Sequence, residues 1–62
     1  MTAVPDDRFR QLRHDLSNPL AAILAETQLL LLRADSLDAE TVTSLKEIEA
    51  LSRRMREILQ RH

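Results

Sequence analysis

Four residues in one short run could do chemistry together. They are His14, Asp15, Asn18 and Pro19, in the order His14-Asp15-Leu16-Ser17-Asn18-Pro19-Leu20. An imidazole in water is largely neutral at cellular pH and is then a competent nucleophile. A carboxylate beside it, Asp15, can accept the ring proton or orient the ring. Asn18 follows His14 by one helical turn, on the same side of a helix, where an amide can hold a water or a phosphoryl oxygen. Pro19 lacks a backbone donor and its ring crowds the carbonyl of Asp15, so a helix kinks or loosens there. A helix that only packs has no use for that proline. The set is a coherent phosphoryl-transfer constellation. It is a poor metal site, because no third ligand stands at a suitable spacing.

The elements that must position these residues are two helices. Residues 1–7 read as a leader, with Asp6 or Asp7 able to cap the first helix and complement its dipole. From Arg8 to Ala34 only Pro19 opposes helix, which places the first helix at about 8–34. Residues 35–38, Asp35-Ser36-Leu37-Asp38, form the turn. Ser36 or Asp38 is the expected N-cap of a second helix over about 39–61, with Glu40 in its first turn. The expected unit is an all-α antiparallel helical hairpin over residues 8–61, each helix roughly 35–40 Å long.

Apolar spacing extends the argument to a second copy. Phe9, Leu12, Leu16, Leu20, Ile23, Thr27, Leu30 and Ala34 recur at steps of three and four. On the second helix Val42, Leu45, Ile48, Leu51, Met55 and Ile58 do the same. Two helices cannot bury stripes this long against each other, and a homodimeric four-helix bundle completes them. Its expected core is Leu12, Leu16, Leu20, Ile23 and Leu30 with Leu45, Ile48, Leu51, Met55 and Ile58. His14 projects roughly 180° from the first stripe. Asn18, Ala21, Ala25, Gln28 and Leu32 fall on its side, a face of small and apolar residues where a merely solvated face would carry charges. That face suits a docking partner.

Composition excludes other classes. The chain has 62 residues, no cysteine, no glycine and one aromatic residue. Without glycine there is no P-loop, dinucleotide fingerprint or ATP lid, so ATP chemistry must come from another domain or chain. Net charge is −1, with nine basic and ten acidic residues interspersed, which argues against a general nucleic-acid binder. Arg53, Arg54 and Arg56 read as a solvated face that also suits a helix C-terminus. The start MTAVPDDRF lacks the basic and apolar regions of a signal peptide. The apolar stretch Leu20 to Leu32 is too short, and with Glu26 too polar, to span a bilayer. A cytoplasmic location is expected, with any membrane anchor of a longer protein lying outside this segment.

The run HDLSNPLAAI resembles the H-box of sensor histidine kinases, the pattern His-Glu/Asp-x-x-Thr/Asn-Pro-Leu. The resemblance continues through most of the chain as a dimerisation and histidine-phosphotransfer domain. It implies that His14 is the phosphoacceptor, taking the γ-phosphoryl of ATP held with Mg2+ by a separate catalytic domain, in cis or in trans. It implies that Asp15 is the acid–base neighbour, that Asn18 positions a water for dephosphorylating the partner, and that Pro19 bends the helix. It implies that the stripe below His14 (Ala21, Leu24, Ala25, Gln28, Leu29 and Leu32) receives a response-regulator receiver domain, whose aspartate takes the phosphoryl group. The chain itself would bind no cofactor. Asp15 stands where Glu is commoner, and Ser17 where Arg is frequent. Two other readings fit the same helices: a structural dimerisation scaffold, and a stand-alone histidine phosphotransfer relay module.

Overall fold

The structure is a computed structural model and describes residues 5–61. It has two long helices, α1 over Pro5–Leu31 and α2 over Ala39–Arg61, joined by a single 3₁₀ turn at Ala34–Ser36. The two helices fold back on each other as a hairpin. Of the expected leader, residues 1–4 lie outside the described part, as does His62. Residues 5–7 are already helical: Pro5 opens α1, where the missing N–H of proline costs nothing and its fixed φ suits the first turn. The capping expected of Asp6 is a side-chain matter outside the described residues. Asp7 lies inside α1 and pairs with Arg10 at 3.5 Å.

α1 ends at Leu31, three residues before the expected Ala34. With no glycine, the left-handed cap that commonly ends a helix is unavailable, and no described residue has positive φ. The chain tightens instead. The Leu32 amide still bonds the Gln28 carbonyl at 3.1 Å, but that of Arg33 bonds Leu30 at 2.9 Å, and those of Ser36 and Leu37 continue the shorter spacing. The Ser36 hydroxyl also bonds the Arg33 carbonyl. Leu37 is extended, and the Asp38 carboxylate then accepts the Thr41 amide at 2.8 Å. Asp38 is therefore the N-cap of α2. Its carboxyl is held below its ordinary 3.8, first by the Thr41 side chain and then by the Thr41 amide, against a weaker opposing effect of desolvation.

The hairpin seam is narrower than the expected stripe. Leu20, Leu24 and Thr27 of α1 and Leu45 and Ser52 of α2 are buried. Leu31, Val42, Glu49 and Leu59 are half-buried beside them. These positions recur at steps of three and four, with gaps, and close one seam between two antiparallel helices. Leu12, Leu16, Ile23 and Leu30 are instead exposed, as are Ile48, Leu51, Met55 and Ile58 on α2. The apolar stripe of each helix is thus two adjoining faces, one used within the chain and one uncovered. On both helices the uncovered face lies about 80–110° from the seam, displaced toward the same sense of residue number. Because the right-handed helices run in opposite directions, that shared sense brings both uncovered faces to one side of the hairpin.

Candidate functional site

The site is built on the first half of α1. The helix passes through His14, Asp15, Asn18 and Pro19 without a break, although Pro19 gives the Asp15 carbonyl no hydrogen bond. His14, Asp15 and Asn18 are all exposed. His14 and Asn18 share a face, one turn apart. That face points roughly 180° from the uncovered apolar side and about 100° from the seam. The imidazole is open to a partner from a direction that packing does not use.

Asp15 is one residue on, so it leaves the helix about 100° round from His14. Its Oδ1 accepts a hydrogen bond from Gln11 Nε2 at 2.9 Å. The carboxylate is thus held back along the helix toward its N-terminus and does not bond the imidazole. Gln11 is the residue that reading the motif alone passed over. The signal was available in the chain, since a glutamine four residues before an aspartate is a recognised helix-surface pair.

The face below His14 holds together only in part. Ala25, Gln28, Leu29 and Leu32 line one shallow open depression on the outside of α1. It begins about 16 Å along the helix from His14, at 1.5 Å per residue. Leu29 is 56% exposed and Leu32 82% exposed, an unusual cost for large side chains with nothing to cover them. Ala21 is exposed on the same side, between His14 and the depression. Leu24 does not belong there: at 5% exposure it is packed in the seam. The family resemblance implies Leu24 at the edge of the docking face, but that edge adjoins the seam and α2 covers it.

At the rim, Gln28 Nε2 donates to Glu49 Oε2 at 3.3 Å, and Arg53 reaches the same oxygen at 3.2 Å. The bond from Gln28 crosses between the helices and marks their register. Among the described residues no three His, Cys, Asp or Glu side chains gather as a metal site, and no helix is long and apolar enough to cross a membrane.

Comparison with known proteins agrees with this arrangement at the level of family. No curated protein and no solved structure matches the chain. The family model of the His Kinase A (phospho-acceptor) domain matches residues 6–61. That span takes in both helices, the turn and the His14 motif, and the chain belongs to that family.

Proposed function

We propose, from membership of the His Kinase A (phospho-acceptor) family, that this chain is the dimerisation and phosphoacceptor unit of a two-component sensor kinase, with His14 as the acceptor. The observation that carries the reading is the placement of His14: exposed, within the HDLSNPL run, on the face opposite the uncovered apolar side. A second copy packed on the apolar side leaves both histidines open. A nitrogen of the His14 ring attacks the γ-phosphorus of ATP supplied with Mg2+ by a separate domain. The P–N bond forms as the bond to the ADP oxygen breaks, and the ring proton passes to the Asp15 carboxylate once it leaves Gln11. The phosphoryl group then moves to an aspartate of a receiver domain docked over Ala21, Ala25, Gln28, Leu29 and Leu32. Asn18 orients a water that hydrolyses the receiver's aspartyl phosphate, which returns the free carboxylate and releases inorganic phosphate.

The test is chemical phosphorylation with phosphoramidate, location of the phosphate by mass spectrometry with His14→Gln as control, and addition of purified receiver domains. Loss of label from His14 that depends on a receiver supports the reading and identifies the partner. A label that persists with every receiver, on an intact dimer, favours a structural scaffold instead.

A further inference from the structure

The carboxylate beside His14 is held by a residue outside the motif. Gln11 Nε2 donates to Asp15 Oδ1 at 2.9 Å. Gln11 lies one turn before both members of the pair. At about 100° per residue, His14 leaves the helix roughly 60° to one side of Gln11 and Asp15 roughly 40° to the other. Helical side chains lean toward the N-terminus, so the turn that carries Gln11 is the surface over which both lie. An amide in that place can hold one of the two, and it holds the carboxylate. Gln11, His14 and Asp15 are all exposed. Packing therefore does not fix the Asp15 side chain; the bond to Gln11 does.

We propose that Gln11 is a positioning residue for phosphoryl transfer to His14: its amide holds the Asp15 carboxylate off the imidazole, and release of that bond precedes proton transfer. The proposal rests on the reading of His14 as phosphoacceptor and Asp15 as its base. Turning of the Asp15 side chain exchanges the Gln11 amide for the ring N–H of His14. The P–N bond then forms, the bond to the leaving group breaks, and the ring proton passes to the carboxylate. Gln11 touches none of the reacting atoms. It sets how much of the time the base is free to serve the ring.

The test removes the donor and keeps the shape. Gln11→Met preserves the length and the helix preference of the side chain, and circular dichroism verifies that the variant remains helical. Phosphoramidate supplies the phosphoryl group, with ammonia as the leaving group, and mass spectrometry reads the rate at which His14 is labelled. A glutamine–aspartate bond one turn apart on an exposed helix is weak, so its loss raises that rate about twofold. In the Asp15→Asn background the same substitution leaves the rate unchanged, because the side chain that is freed is no base. A role in helix stability alone would act equally with and without Asp15. The side-chain amide resonance of Gln11 reports the bond apart from activity: it moves as Asp15 is protonated and stands still in Asp15→Asn. Equal labelling of His14 in wild type and Gln11→Met overturns the proposal and leaves the phosphoacceptor reading standing. Slower labelling of the variant overturns it too, since the bond would then belong to the productive geometry. So does a rise that persists without Asp15, or a Gln11 resonance indifferent to pH. No label at His14 in any variant removes the phosphoacceptor reading and the positioning role with it.

Discussion

Asp15 and His14 are neighbours in sequence but not in hydrogen bonding. The carboxylate bonds Gln11 at 2.9 Å, so any proton it takes from the imidazole follows a side-chain rearrangement or a bridging water. This makes two outcomes separable. His14→Ala abolishes phosphate acceptance and leaves the fold intact, because the imidazole lies outside the seam and off the apolar side. Sedimentation and circular dichroism check the second half, and a dissolved dimer would show that the face is misassigned. Asp15→Asn keeps the size and the bond to Gln11 but removes the base. It slows phosphorylation of His14 by about a hundredfold, the lower end of what general acid–base catalysis contributes. A rate unchanged within twofold removes Asp15 from the chemistry. The motif was legible in sequence because a helix fixes what lies one turn apart, and His14 and Asn18 share a face as expected. Gln11 lies one turn before Asp15 and outside the His14–Pro19 run, so the spacing of that motif does not point to it.

At the scale of the elements, the seam holds two hydroxyls where leucines are expected. Thr27 and Ser52 are each 4% exposed, as buried as Leu20 and Leu24. The Thr27 hydroxyl bonds its own helix, at the Ile23 carbonyl, 2.6 Å away, and ties nothing to α2. Such back-bonding slightly weakens a helix. Thr27→Val replaces the hydroxyl by a methyl of the same shape and leaves the Ile23 carbonyl its backbone donor. The hairpin gains about 1 kcal/mol, read as a higher urea midpoint, and a lower midpoint would mean that the hydroxyl does more than satisfy itself. The cap of α2 is a second lever. The Asp38 carboxyl is depressed in the folded chain, so its stabilisation is fully present above its ordinary 3.8 and is lost as pH falls through the lowered value. Wild type melts above Asp38→Ala at neutral pH, and the two curves converge in strong acid. A gap that persists at the lowest pH refutes the charge-assisted cap. Asp38 was readable from sequence because capping chemistry is local. The division of the α1 stripe was not, because the seam and the uncovered face adjoin, about a right angle apart, and merge in any three- and four-residue periodicity. Only the position of α2 shows that Leu20 and Thr27 go one way and Leu16 and Ile23 the other.

At the scale of the whole molecule, a chain of 62 residues that buries three apolar side chains among its described residues, Leu20, Leu24 and Leu45, is marginal alone. The uncovered side carries a run of exposed apolar residues, among them Ile48 at 42% and Leu51 at 57% exposed. If a second copy covers that side, stability depends on protein concentration, and the melting temperature rises with it. Two substitutions then separate the faces. Ile48→Asp places a charge where the second copy packs. A buried unpaired carboxylate costs several kcal/mol, about 3 or more, which is enough to give a monomer at micromolar concentration with much of its helix lost. Leu32→Asp introduces the same charge in place of a more exposed leucine, on the His14 side. It leaves the dimer and its melting temperature unchanged and weakens only the docking of a partner. Sedimentation equilibrium of both variants beside wild type reads the difference directly. If Leu32→Asp dissociates the dimer and Ile48→Asp does not, the two sides exchange roles. A wild type that is monomeric at micromolar concentration ends the bundle reading altogether.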